Sequence, residues 1–272
     1  MSQASVRNPR FAGLFYPEDE RELHDFVERM LVAYVPPSKT TLACRGCFVP
    51  HAGYIYSGEC AAKTFALVEI PDDVIILHTK HVREGPPLAI SHYDYWRTPL
   101  GMVPRAADIA GELAQIGPAK PDTLAEDEEH AGEVVLPFLQ MLNNSVRVCV
   151  VAVAHLDKTT LKQFGQSLAE VCGKRDTLIV ASTDMNHYAS RKDTERLDDI
   201  ALERMEALDP DGLMDVVNAN HISMCGAAAT AAMMHACIAL GCDELVVVDH
   251  CDSGDASGDY ERVVGYASGY IR

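Results

Sequence analysis

Along this chain, short runs of apolar residues alternate with longer segments in which apolar and polar residues follow a helical period. Apolar runs typical of strands lie at about residues 42–49, 73–77, 88–93, 147–153, 177–183, 244–250 and 262–271. Helical patterns lie between most of them, at about residues 57–69, 105–116, 131–142, 158–172, 192–207, 210–219 and 225–240. This alternation predicts an α/β fold with a central, mixed or largely parallel sheet flanked by helices.

The remaining segments predict one more helix and show no domain boundary. In residues 18–34, EDERELHDFVERMLVAY, the apolar side chains fall on one stripe, which predicts a surface helix. No internal repeat, low-complexity segment or long linker interrupts the 272 residues, so we expect a single domain over residues 1–272. The segment SGDASGD at 253–259 predicts a hairpin connection, because its glycines lack the spacing of a phosphate-binding loop.

The charge balance narrows the range of partners. The chain has 23 Lys and Arg against 40 Asp and Glu, a formal net charge of −17. This balance argues against a nucleic-acid surface or an anionic membrane as partner. No run approaches a membrane span and the amino terminus lacks a secretion signal, so we expect a cytoplasmic protein. The odd number of cysteines, nine, and their place in apolar runs indicate reduced thiols rather than disulfides.

Candidate chemistry is concentrated where three apolar runs end. His51 follows the first run, His78 and His81 follow DVIIL, and Asp184 and His187 follow TLIVAST. Open α/β sheets bind their ligands at the carboxyl ends of the strands. One isolated histidine here is more simply a loop or cap residue. Its repetition at three strand ends favours a shared site.

Each of these groups also has a structural interpretation. The three-residue spacing of Asp184 and His187 lets the carboxylate orient the imidazole or lets each act as acid or base, but an Asp N-cap fits equally well. Cys225 precedes a helix whose amino terminus would stabilise its thiolate, although buried inert cysteines are common. Two histidines with one thiolate or carboxylate would bind iron, copper or zinc and leave positions open for a substrate.

Other candidates are weaker. Of His78 and His81, one is expected as a ligand and the other as a neighbour, while Lys80 either binds an anionic substrate or is solvated. His130 shares a helical face with Glu133 and either lines the pocket or forms a solvated turn. The single CxxC at residues 44–47 carries no metal or redox prediction, because strand residues three apart point to opposite faces. The other histidines have no informative spacing: His24, His92, His155, His221, His235 and His250.

The motifs of the chain resemble those of the Memo family, which includes the proteins called AmmeMemoRadiSam-type system protein B. They run nearly end to end: RNPRFAGLFYP, VPHAGYIYSG, ILHTKHV, YWRTPLG, EHAGEVVLPFLQ, STDMNHY, CG at 225–226 and VVGYASGYI. Memo proteins are similar to class III extradiol dioxygenases, non-haem iron enzymes with an α/β core. This resemblance implies a metal site with His51, His81 and Cys225 as ligands. It also implies that Asp184 and His187 lie in the pocket, and we place Tyr54 of VPHAGYIYSG there as well.

The resemblance leaves three functions open. A metal-dependent, dioxygenase-like oxidoreductase is expected first, with iron(II) as its first expected metal and copper or zinc as alternatives. The thiolate that replaces the carboxylate of the dioxygenases favours iron(II) or copper. The alternatives are a peptide- or small-molecule-binding scaffold and a partner of radical-SAM and AMMECR-type proteins. The chain departs from the family at His78-Thr79, where Gly-Pro is common, and at Ala227–Ala229, where polar residues and proline are common. We therefore expect His78 to be an added ligand or base that other members of the family lack.

Overall fold

A computed structural model describes residues 4–35 and 40–272, which form alternating strands and helices. The strands are β1 (Val6–Arg7), β2 (Gly46–Val49), β3 (Asp73–Thr79), β4 (Leu88–Ser91), β5 (Tyr95–Thr98), β6 (Gly101–Pro104), β7 (Lys120–Asp122), β8 (Arg147–Val153), β9 (Thr177–Ser182), β10 (His187–Ala189), β11 (Leu245–Asp252) and β12 (Val263–Ile271). The helices are α1 (Glu20–Tyr34), α2 (Tyr54–Phe65), α3 (Ala107–Ile116), α4 (Leu136–Leu142), α5 (Lys158–Cys172), α6 (Arg191–Glu206), α7 (Pro210–Ala219), α8 (Ala227–Ala239) and α9 (Gly254–Ser257). A 3₁₀ turn covers Leu124–Glu126.

The central sheet confirms the predicted fold class. Its strand order is β10-β12-β2-β9-β3-β8-β4-β7, with β11 paired to β12. The four central strands β2, β9, β3 and β8 are parallel, while β12 and β4 join them in the antiparallel direction. Strand β3 is buried at every position after Asp73, as expected for a continuous apolar run covered on both faces. The sheet is therefore mixed, with a parallel centre.

Helices cover both faces of this sheet. On one face α3, α5, α7 and α8 pack with the sheet into one apolar core, and on the other face α1, α2 and α4 pack into a second core. Helices α5 and α8 pack tightly together, and a Cβ at Gly165 would lie 2.4 Å from His235 Cβ. Glycine is needed at this position because no side chain fits between the two helices.

A short amino-terminal arm, residues 6–17, adds a feature that the apolar pattern did not predict. Its β1 joins β5 and β6 in a separate three-stranded sheet. The buried Arg7 side chain forms an ion pair with Glu133, and it also donates to the carbonyls of Glu126 and Glu129. Glu133 in turn accepts hydrogen bonds from the Phe11 amide and the Tyr16 hydroxyl. The arm is thereby fixed against residues 126–133.

Two local predictions can be compared directly with the structure. The connection between β11 and β12 is the predicted hairpin, although it contains the short helix α9, which ends at Gly258 in left-handed conformation with φ 74°. The helix predicted over residues 131–142 begins only at Leu136, because the residues before it form turns. Among the described helices, none combines the length and apolar character needed to cross a membrane.

Candidate metal centre

The candidate site lies at the carboxyl edge of three neighbouring strands, β2, β9 and β3. His51, Asp184 and His81 each stand two residues past the end of their strand, and Cys225 directly precedes Gly226, the N-cap of α8. Ligand atoms of His51, His81 and Cys225 all lie within 4.8 Å of one another. The structure thus brings together the three predicted metal ligands.

Cys225 is held against the end of β9 by close backbone packing. A Cβ at Gly226 would lie 2.4 Å from Thr183 Cβ, and the Gly226 amide donates to Thr183 Oγ1 at 3.0 Å. The Cys225 sulfur lies 3.3 Å from His51 Nε2 and accepts from the Asp184 amide at 3.2 Å. Burial, with the nearby Asp184 charge, raises the pKa of the Cys225 thiol. A bound cation is needed to stabilise the thiolate here.

His51 presents the lone pair of Nε2 to this sulfur. The hydroxyl of Ser182 donates its proton to the Ala131 carbonyl at 2.7 Å, so it must accept at its other contact, His51 Nδ1 at 2.8 Å. The proton of a neutral His51 ring is therefore on Nδ1. Burial, aided by the charge of His81, lowers the pKa of His51 well below its ordinary value. The ring is neutral, which is the form that binds metals.

His81 is oriented by the buried carboxylate of Glu129. Its ring Nδ1 lies 2.9 Å from Glu129 Oε1, and its amide donates to Oε2 at 2.7 Å. Although burial opposes ionisation of Glu129, the His81 hydrogen bond and the charge of His78 hold the pKa of this carboxyl well below its usual range. A carboxylate on Nδ1 fixes the proton there and leaves Nε2 free for a metal.

His130 is a third imidazole, beside the three candidate ligands. Its ring stacks on His81 at 4.8 Å between centroids and meets His51 edge-on at 5.3 Å. Phe15 of the amino-terminal arm covers it at 4.7 Å. Burial and the neighbouring His51 lower the pKa of His130 to about 3, so the ring is uncharged at neutral pH. The arm and His130 together form one wall of the site.

Asp184 and His187 follow strand β9 at the same edge of the sheet as the ligands but make different contacts. Asp184 Oδ1 accepts from the His51 amide at 2.8 Å, and its Oδ2 is 4.0 Å from His51 Nε2. Burial raises the pKa of Asp184. The His187 ring donates from Nδ1 to the Ser223 carbonyl at 2.9 Å, which leaves the lone pair of the neutral ring on Nε2. His187 is partly exposed.

His78 does not join the ligands, which corrects its expected role as an added ligand or base. Its two ring nitrogens face acceptors, the Thr79 carbonyl at 2.8 Å and Glu126 Oε1 at 3.1 Å. Although complete burial opposes the charge, Glu126 raises the pKa of His78 to about 9. His78 is therefore an imidazolium with no lone pair to offer, paired with a carboxylate 48 residues away.

Lys80 and Tyr54 are also engaged in structural contacts. The Lys80 ammonium donates to the carbonyls of Val82, Arg83 and Gly85 and so holds the loop after β3. The buried Tyr54 hydroxyl donates to the Val134 carbonyl at 2.7 Å. Lys80 still lines a cavity of about 370 Å³ that reaches Cys225 and is bordered by His155 and His221. This volume suits a small-molecule ligand.

Sequence reasoning missed the groups that orient the ligands. Ser182, Glu126 and Glu129 act on His51, His78 and His81 through hydrogen bonds that span 48 residues or more. The run EDEEH offered a weak signal, since its glutamates precede the pocket candidate His130. Nothing in their spacing indicates which glutamate reaches which histidine.

Known proteins share the sequence and the fold of this chain. A family model described as Memo-like protein matches residues 7–270. A MEMO1 family protein of Aquifex aeolicus is 35% identical over 262 residues, covering 96% of this chain and 97% of the relative. One from Methanopyrus kandleri is 36% identical over 275 residues, covering 96% and 97%. The crystal structure of an uncharacterized protein from Escherichia coli K12 is similar in fold, with a TM-score of 0.51 at 11% identity, covering 82% of this chain and 99% of that one.

Proposed function

The chain belongs to the Memo-like protein family, and from this premise we propose that His51, His81 and Cys225 bind one metal ion and form the centre of an oxidoreductase site. One observation carries the proposal: two imidazoles, each oriented by an acceptor on its Nδ1, and a thiol sulfur have their ligand atoms within 4.8 Å of one another. Such fixed tautomers are typical of metal-binding histidines.

The donor set fits a first-row transition metal. The 3.3 Å between His51 Nε2 and Cys225 Sγ agrees with the roughly 3.1–3.6 Å expected for nitrogen and sulfur ligands on one ion. Imidazole and thiolate suit iron(II), copper and zinc, and three protein ligands leave positions open. We favour iron(II), because the Memo resemblance points to non-haem iron enzymes.

When bound, such a metal supplies Lewis acidity and one-electron redox chemistry to a substrate held beside it. The protein itself supplies proton transfer and binding. His187 Nε2 has the free lone pair of a general base, and the buried Asp184 carboxyl, whose pKa is raised by burial, lies beside the ligands as a second group for proton transfer. Neutral His130 limits the positive charge around the metal. The cavity at Cys225 gives room for a small organic substrate.

Metal analysis of anaerobically purified protein tests this proposal. We expect about one iron(II) per chain, and loss of that metal in His51→Ala, His81→Ala and Cys225→Ser. His92→Ala is the matched control, because His92 is exposed and contacts Arg105 rather than the site. If the wild-type apo form takes up no iron(II), copper or zinc at these residues, the proposal is refuted.

A further inference from the structure

A second group of metal-ligand side chains lies away from this centre, between α2 and β11. The group consists of Cys60 on α2 and of Asp249 and Cys251 on β11. Its two sulfurs and one carboxylate oxygen lie within 4.8 Å of one another. Cys60 is buried, while the other two are partly buried. None of these residues belongs to the site at His51, His81 and Cys225.

Strand geometry explains why β11 contributes two ligands to one face. Side chains two apart in a strand point the same way, so Asp249 and Cys251 both face α2. His250 between them points to the opposite face, where its Nε2 lies 3.1 Å from Asp198 Oδ2. The Ser268 hydroxyl on β12 donates to the Cys60 carbonyl at 2.6 Å and ties α2 to β12, where Ser268 is the strand partner of Asp249. The three donors are thus held by rigid elements.

One oxygen of Asp249 lacks a partner. Oδ1 accepts from the Lys63 ammonium at 2.7 Å. Oδ2 is buried and has no hydrogen-bond partner among the described residues. A buried carboxylate oxygen without a donor is costly, and a cation would satisfy it. The unpartnered oxygen belongs to the same carboxylate that stands beside the two sulfurs.

The charges of the group are balanced by a divalent ion. Two thiolates and one carboxylate carry three negative charges, which Zn²⁺ reduces to one, and the Lys63 ammonium on Asp249 neutralises the remainder. Ligands at tetrahedral angles on zinc are roughly 3.6–3.8 Å apart, so closing the group from within 4.8 Å needs shifts of at most about 1 Å. Two thiolates favour a soft or borderline metal, and the carboxylate oxygen favours zinc over copper(I).

We propose that Cys60, Asp249 and Cys251 form a second metal site, specific for Zn²⁺, with its fourth position open. A cavity of about 530 Å³ borders all three ligands as well as Lys63 and Tyr34, so an ion and a water ligand can reach the site from solvent. Three protein ligands with an open position are the arrangement of zinc sites that bind exogenous groups. The site is independent of the iron centre proposed above.

Zinc binding to the full-length, reduced, metal-free protein tests the proposal. In a His51→Ala/His81→Ala background, we expect one tightly bound zinc per chain by equilibrium dialysis and elemental analysis. Adding Cys60→Ser and Cys251→Ser should weaken this binding more than about 100-fold, because loss of an outer-sphere partner alone costs 10- to 100-fold. Asp249→Asn should weaken it as well. Cys44→Ser, at a partly buried cysteine outside both groups, should leave it unchanged.

The outcomes separate the two sites. Zinc retained in the background variant and lost with Cys60 and Cys251 supports the second site even if the iron centre proves empty. Cobalt(II) in the same variants should give a thiolate-to-metal charge-transfer band that disappears with the two cysteines. No zinc bound in the reduced background variant, or equal binding after both cysteine substitutions, overturns the proposal. The proposal is also overturned if Cys60 and Cys251 readily form a disulfide and the protein, once reduced, takes up no zinc. Circular dichroism checks that each variant is folded.

Discussion

Glu129→Gln is expected to weaken metal binding at the His51, His81 and Cys225 site without touching a ligand. The Glu129 carboxylate accepts four N–H groups: the His81 amide on Oε2, and His81 Nδ1 and the amides of His130 and Ala131 on Oε1. A glutamine amide has one oxygen and one NH₂ group. Even in its best orientation, the NH₂ would face the His81 amide, so one buried N–H loses its partner and the negative charge is gone.

The magnitude follows from the role of this carboxylate. Without it, the tautomer of His81 that leaves Nε2 free is no longer favoured, and the ring loses basicity. Outer-sphere partners of this kind contribute 10- to 100-fold to metal affinity, which is about 1.4–2.7 kcal/mol. We expect the dissociation constant for iron(II) to rise by this factor in an anaerobic titration against a competing chelator.

Glu128→Gln is the matched control. It makes the same change on the neighbouring residue, which is 68% exposed and pairs with Arg10 at the surface. Its iron affinity should equal that of the wild type. Nitrogen chemical shifts of the His81 ring in the metal-free protein should show Nδ1 protonated in the wild type and a tautomer mixture in Glu129→Gln. If Glu129→Gln binds iron as tightly as Glu128→Gln, the reasoning about His81 is refuted.

Three further predictions concern other parts of the site. Because the pKa of His78 is raised to about 9 from an ordinary 6.5, its pairing with Glu126 stabilises the fold fully below pH 6.5 and is lost as the pH rises through 9. The free energy of unfolding of the metal-free protein, measured in urea, should fall by up to about 3 kcal/mol over this range. His78→Gln should flatten this pH profile. Gly226→Ala should lower both the melting temperature and the metal affinity, at a cost of about 1–3 kcal/mol, whereas Gly111→Ala, with open space around its Cβ, should not. Ser182→Ala should reduce metal affinity about tenfold by freeing the His51 tautomer, and unchanged affinity in the same titration would contradict the hydrogen-bond assignment.

The parts of the fold that the sequence predicts are those fixed by apolar periodicity. Strands β3, β8 and β9 are continuous apolar runs, because helices cover both faces of the sheet there. The strands that were missed are short and depend on their partners. Strand β5 alternates buried and exposed residues over four positions, and β7 contains a proline at the edge of the sheet. Local pattern does not determine such pairings.

The candidate ligands were more predictable from the sequence than the residues that orient them. The positions of His51 and His81 follow from strand ends, and the Memo resemblance adds Cys225. The partners of these residues come from remote segments whose approach depends on tertiary structure. His78 illustrates this limit of sequence-based prediction. Its position in the chain, between His51 and His81, did not indicate that it would pair with Glu126. The sequence likewise gave no sign that Cys60 lies near Cys251. All nine cysteines are free thiols and lie in the described part of the chain.

The separation of the ligands along the chain has a consequence for protein synthesis. His51 and Cys225 are 174 residues apart, which a ribosome translating 5–20 residues per second covers in roughly 10–35 s. During that interval the imidazoles are present without the thiolate. In the site proposed above, any metal that meets the chain during this interval finds His51 and His81 without Cys225, because the complete ligand set forms only once α8 has docked. The ion that the proposed site retains is therefore selected by the complete ligand set of the finished chain.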